Sequence, residues 1–202
     1  MRKLFLSLLM LCVAVGASAK FRWGPTAGVN FNNAYWTQGL VPSDMQTGFQ
    51  AGLMGEIMIP GIGFGVDLAL KYVNLGTRLH LGDRPIWALD GYRTERLTIH
   101  KLDIPINVRF KWTRLNGFEH YLAPIAFAGP RLSFNLATSR CDAIEHPAAS
   151  FGLQCGGGVE ILERLQLTAG YHWGLTYDIR TVKLDDLSAR TQQAFIDLTW
   201  LF

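Results

Sequence analysis

The sequence predicts an all-β chain, an eight-stranded antiparallel transmembrane up-and-down β-barrel, on three observations. Apolar residues recur at every second position in eight separate runs, the period of a strand with one apolar face. The connections between runs alternate between short and long. Aromatic residues gather toward the two ends of the apolar faces, as the two interfaces of a bilayer would require. Composition agrees: 21 glycines and 12% aromatics stand beside only 17% charged residues, with no 3.6-residue apolar stripe.

The chain opens with Arg2 and Lys3, an apolar run and the small residues Ala17, Ser18 and Ala19, the order of a secretory signal peptide. Residues 1–19 are therefore expected to be cleaved, leaving 20–202 as the barrel. A lipoprotein reading of Cys12 is disfavoured by Leu11 before it. Loss of Arg2 and Lys3 lowers 19 basic residues to 17 against 16 acidic ones, a formal charge of +1 that carries no nucleic-acid footprint.

The first strand sets Phe21, Trp23, Pro25, Ala27, Val29 and Phe31 against Arg22, Gly24, Thr26, Gly28, Asn30 and Asn32. The second runs from Phe49 to Ile59 and the third from Phe64 to Tyr72, each with the same alternation. In the fourth, HKLDIPINVRFKW, Leu102, Ile104, Ile106, Val108, Phe110 and Trp112 oppose Lys101, Asp103, Asn107, Arg109 and Lys111. The sixth, seventh and eighth cover residues 151–161, 165–177 and 190–202. The fifth strains the template: Tyr121, Ala123, Ile125 and Phe127 keep one phase and Leu132, Phe134 and Leu136 the other, which predicts a bulge near Gly129 and Pro130. Pro25, Pro105 and Pro124 lack the N–H a ladder needs and predict bulges or strand ends.

Short connections follow the second, fourth and sixth runs (PGIG, TRLNGFE, LER), and long polar ones occupy residues 33–46, 76–96, 137–149 and 180–190. Short periplasmic turns and long outer loops are the pattern of an outer-membrane barrel. A soluble lipocalin-like barrel would share the alternation but not the two aromatic girdles.

The opposite faces should then line a lumen narrow enough to be filled by side chains. They offer Glu56, Asp67, Asp103, Glu160, Asp178 and Asp197 against Arg22, Lys71, Lys101, Arg109 and Lys111. Glu56 faces Asp67 across the PGIG hairpin, so a cation from Arg22, Arg109 or Lys111 is expected between them, making a plug near the periplasmic end. Paired acids could act as general acid and base, and His172 facing Asp197 could serve a nucleophile, but no serine stands beside His172 and the lumen admits little substrate. The expectation is no catalytic residue, no metal and no cofactor: His80, His100, His120 and His146 lack ligand spacing, and GIGFG, Gly61 to Gly65, precedes no helix. The CGGG stretch, Cys155 to Gly158, reads as small residues relieving crowding inside the barrel.

Cys141 and Cys155 could form a disulfide above the membrane, or Cys155 could be a free lipid-facing thiol. The loop after the third strand carries Arg84, Trp87, Tyr92, Arg93 and Arg96, a candidate surface for a protein partner or a plain strand extension.

The stretches GVNFNN, GFQAGLMGEI, KLDIPINVRFKW, AGPRLSF and GLQCGGGVE, with the alternating last strand ending on Phe202, resemble the PorT-like, OmpX-scale barrels grouped as "outer membrane protein beta-barrel domain". The resemblance covers essentially all of 20–202. It implies an eight-stranded barrel in the outer membrane of a Gram-negative cell, in contact with outer-membrane lipid. A terminal aromatic also resembles the signal read by barrel-insertion machinery, and the namesake's association with protein secretion implies a possible accessory role. No catalytic residue carries over. The expected function is a non-enzymatic structural or interaction barrel; a secretion accessory, a lipid-modifying enzyme and a small pore are the alternatives.

Overall fold

A computed structural model describes residues 20–36, 43–44, 46–59, 61–80, 94–113, 117–138, 144–145, 147–176, 179–181 and 188–202. Eight long strands follow one another: β1 (Lys20–Trp36), β3 (Gln46–Met58), β4 (Phe64–His80), β5 (Thr94–Lys111), β6 (Leu122–Thr138), β8 (Ala149–Ile161), β9 (Leu165–Gly174) and β11 (Ser188–Trp200). Each pairs antiparallel with its predecessor, and β1 pairs with β11 from Thr26/Thr199 to Trp36/Ala189, which closes the barrel and leaves none of the eight as a free edge. Three short strands, β2 (Ser43–Asp44), β7 (Ile144–Glu145) and β10 (Ile179–Thr181), add rungs beyond the long-loop ends: β2 on β4, and β10 between β11 and β7.

The outward face carries the apolar alternation. Phe21, Leu53, Val66, Val108, Leu132, Leu153 and Leu198 are exposed, while the residues between them are buried in the lumen. A soluble domain would invert this distribution, whereas a lipid-facing wall demands it. Rings cluster at both ends of the band. Trp23 meets Phe202 at 5.7 Å and Phe110 meets both Phe64 (4.9 Å) and Trp112 (5.4 Å) at the short-turn end. Phe49 meets Tyr72 (5.9 Å) and Tyr171 meets Trp173 (4.8 Å) at the other.

The short turns use the backbone their residues permit. Gly61 and Gly63 supply φ of 81° and 80° between β3 and β4, where Ile59 N donates to Phe64 O at 2.8 Å. The turn between β8 and β9 places Leu162 and Glu163 at φ 52° and 58°, which suits the right-handed twist of a hairpin but is rare without glycine.

β6 differs from its sequence-based expectation. Its pairing with β8 is continuous from Leu122/Ile161 to Phe134/Ala149, with no shift at Gly129 or Pro130. One phase holds throughout, so Ala123, Ile125, Phe127, Arg131 and Ser133 all point inward and Ala126, Ala128, Pro130, Leu132 and Phe134 outward. The apolar residues at 123–127 misled because they face a glycine-lined patch of the lumen rather than lipid. The register shift of the barrel lies instead between His100 and Lys101 on β5, opposite the outer end of β6.

The prolines act locally. Pro25 sits just below the first β1–β11 rung and Pro124 near the start of β6. Pro105 lies mid-strand without a bulge, but the β4–β5 register skips Ala69/Pro105 and Leu70/Ile104, and the β5–β6 register skips Ile106/Pro130 and Asn107/Gly129. Rungs are lost where donors are missing.

Candidate functional site

The lumen is the chemical centre of the molecule, and its short-turn end is built around Glu56. The register sets Glu56 opposite Arg22 on β1 and Asp67 on β4. Arg22 donates from both Nε (2.9 Å) and Nη2 to Glu56 Oε1, and from Nη2 to Glu160 Oε2 at 2.7 Å. Lys111 Nζ donates to Glu160 Oε2 at 2.5 Å and approaches Glu56 Oε1 at 3.5 Å. Arg109 spans the two facing acids, with Nε 2.8 Å from Asp67 Oδ2 and Nη1 3.2 Å from Glu56 Oε2. Three cations thus interleave three carboxylates, which removes the repulsion that Glu56 and Asp67 would otherwise suffer in a confined space.

Amides complete the network. Gln166 donates to Glu56 (2.8 Å) and Glu160 (2.7 Å) and accepts from Arg109 (2.5 Å). Asn107 donates to Asp67 at 2.7 Å and accepts from Gln154 at 2.9 Å. Such mutual saturation is what lets ions persist without bulk water.

Above this plug the filling changes. Phe127 and Phe195 lie 6.3 Å apart, with the Arg109 guanidinium 6.0 Å from the first ring and Lys71 Nζ 5.6 Å from the second. The rings fit because β8 and β9 are bare beneath them. A Cβ at Gly156 would come within 2.5 Å of the Phe127 ring, and one at Gly170 within 2.6 Å of Phe195. Lys71 also donates to Asp197 at 2.6 Å, whose other oxygen accepts from Gln50 at 2.5 Å. Further out, Arg131 donates from Nε (2.9 Å) and Nη2 to Asp103 Oδ2.

Of the residues singled out in the sequence, Arg22, Glu56, Asp67, Arg109, Lys111 and Glu160 form one network, Lys71 and Asp197 a second, and Asp103 pairs with Arg131. Lys101 is buried on the same face, and Asp178 lies outside the described residues. His172 does not face Asp197: it stands opposite Gln193, and Asp197 opposite Thr168, because the β9–β11 register is four residues away from that pairing. Its imidazole instead occupies space left by Gly152. Arg131 is not among the residues singled out in the sequence, where a lone arginine in an apolar strand is the available signal; Gln50, Gln154 and Gln166 lie on the lumen face that the alternation gives them, but only the structure ties them into the network.

Cys155 is an exposed free thiol on the outward face, paired in register with Ala128 and Tyr171, as in the lipid-facing one of the two alternatives the sequence leaves open; Cys141 lies outside the described residues. Of the loop candidates, Arg84, Trp87, Tyr92 and Arg93 also lie outside them, while Arg96 is a strand residue paired with Arg78. Among the described residues, no cluster of three or more His, Cys, Asp or Glu could hold a metal ion.

A closed eight-stranded wall, an apolar exterior and an ion-filled interior coincide with a family match over residues 16–177, to the family described as outer membrane protein beta-barrel domain. The chain belongs to that family. This family member is an outer-membrane barrel, and its surroundings are lipid. Its fold is similar to that of the outer membrane protein OprG from Pseudomonas aeruginosa, with 10% identity over 91% of this chain and 95% of that one and a TM-score of 0.56. Neisserial surface protein A aligns at 13% identity over 90% of this chain and 99% of its own, with a TM-score of 0.46. The attachment invasion locus protein Ail of Yersinia pestis aligns at 13% identity over 91% and 99%, with a TM-score of 0.43. No curated protein matches the chain in sequence.

Proposed function

We propose that the protein is a non-enzymatic structural or interaction barrel, exported by its residues 1–19, whose working surface is the sheet that rises beyond the apolar band. One observation carries this reading: among the described residues, side chains fill the middle of the lumen. The cavity between the Asp67–Arg109 pair and the Lys71–Asp197 pair is only about 20 Å³, room for about one water. A lumen so filled argues against solute flow and against a substrate inside the barrel, and supports the outer extensions as the working surface. There β4 and β5 stay paired from Asn74/His100 to His80/Thr94, above the last outward apolar residues, and β2 joins β4.

The test is paired. Purified protein in planar bilayers is expected to show no steady conductance, and lipid A from cells expressing it is expected to keep its mass; a stable open channel or a shifted lipid A mass would overturn the reading. A second reading, a PorT-like accessory of protein secretion, is favoured by the resemblance in GFQAGLMGEI and KLDIPINVRFKW. Deletion that abolishes export of secreted proteins while leaving envelope integrity intact would select it.

A further inference from the structure

Among the described residues the outward wall carries a deep groove. Between β1, β3 and β4 runs a groove of about 710 Å³, within the roughly 300–1,000 Å³ of small-molecule sites, walled by Phe21, Trp23, Leu53, Ile57, Leu68 and Leu70. Gly55 forms part of its surface: it faces outward between Trp23 and Leu68 and supplies no side chain to fill the space.

Two further observations give the groove depth. It reaches Met54 and Ala69, whose side chains point into the lumen, and it extends to Ile104 across the place where the β4–β5 register skips Ala69/Pro105 and Leu70/Ile104. The small interior cavity touches Met54, Ala69 and Pro105 from the other side. Groove and cavity therefore lie back to back across a wall that lacks two rungs. The β5–β6 ladder also lacks two rungs, at Ile106/Pro130 and Asn107/Gly129, but there the outward positions carry the side chains of Ile106 and Pro130 rather than a bare glycine.

We propose that this groove is a binding site for one acyl chain of a phospholipid from the periplasmic leaflet, retained by the barrel rather than exchanged as bulk lipid. Its lining is almost wholly apolar, and it is continuous with the lipid-facing band. Its lower lip is Phe21 and Trp23 at the short-turn rim, where interfacial rings collect. The short-turn location selects a phospholipid of the inner leaflet over the outer leaflet's lipopolysaccharide.

Native mass spectrometry of the full barrel extracted from outer membranes in mild detergent tests this. The expected result is one retained phospholipid, falling about ten-fold in occupancy in Gly55→Leu, which fills the groove, and unchanged in Ala126→Leu, which adds the same kind of bulk to the lipid face of β6. A barrel free of lipid, one that retains lipopolysaccharide, or equal loss in both variants overturns the proposal. A Cβ at Gly55 would stand 3.2 Å from the Phe21 ring, so that variant could fail to fold. For that case, unmodified protein in vesicles containing a phospholipid with a diazirine-bearing acyl chain is photolabelled; label concentrated on residues 53–57 and 66–70 supports the site, and label spread evenly over the eight strands overturns it.

Discussion

The two halves of the lumen are filled by different means. At the short-turn end, Arg22, Arg109 and Lys111 are shared among Glu56, Asp67 and Glu160, and Gln166 occupies lone pairs that remain. In the outer half Arg131 pairs with Asp103 and Lys101 is buried nearby, with Val73, Leu75 and Ile99 beside amides. Four buried atoms there, Asn30 Nδ2, Asn32 Oδ1, Asp103 Oδ1 and Asn135 Oδ1, have no hydrogen-bond partner among the described residues. An ion in a low-dielectric interior is tolerable when its lone pairs and protons are all matched, and costly when one partner is removed. The inner plug should therefore be brittle to single substitutions and the outer half tolerant.

The hardest blow to that contrast, or its best support, is Glu56→Ala. It takes one carboxylate from each of three cations, leaving Arg22 and Lys111 to share Glu160 and Arg109 with Asp67, and should cost about 3–5 kcal/mol, read as a lowered urea midpoint for the folded band on unboiled gels. A cost near zero would show that water, not the network, solvates the plug. Gly156→Val tests the waist between the halves. Its added carbons collide with the Ala169 carbonyl and the Phe127 ring, so a loss of about 1–3 kcal/mol is expected in the same assay. Asp103→Asn should cost about 1 kcal/mol, since it exchanges a charge-assisted bond to Arg131 for a neutral one; a penalty matching that of Glu56→Ala would erase the distinction between the halves. Cys155→Ala, on the lipid face, should change stability by less than about 0.5 kcal/mol. In wild-type protein the Cys155 thiol should react in detergent without prior reduction.

Much of this was legible in the alternation. Strict parity in KLDIPINVRFKW separates Arg109 and Lys111 from Val108 and Phe110, and the PGIG hairpin alone sets Glu56 against Asp67. Parity failed in β6 because both of its faces are apolar near residues 122–128, so the period of two carries no contrast. What decides that stretch is a long-range match, the bulk of Phe127 against the bareness of Gly156 and Gly170, and no local pattern contains it. His172 was misplaced for a related reason: facing residues in a hairpin depend on where the turn falls, and the register fixes Gln193 opposite it.

The closing pair of strands bears on how the molecule is made. β1 and β11 are joined rung by rung, Thr199 Oγ1 donates to Thr26 Oγ1 at 2.9 Å, and Phe202 N reaches back to Trp23 O at 2.9 Å. Those contacts span nearly the whole described chain, so seven assembled strands would still present two open edges to hydrocarbon, where an unpaired amide has no solvent to turn to. Assembly is thereby all or nothing. The first strand must wait, shielded, for the last, and a chain stalled before its final strand has no stable half-inserted form.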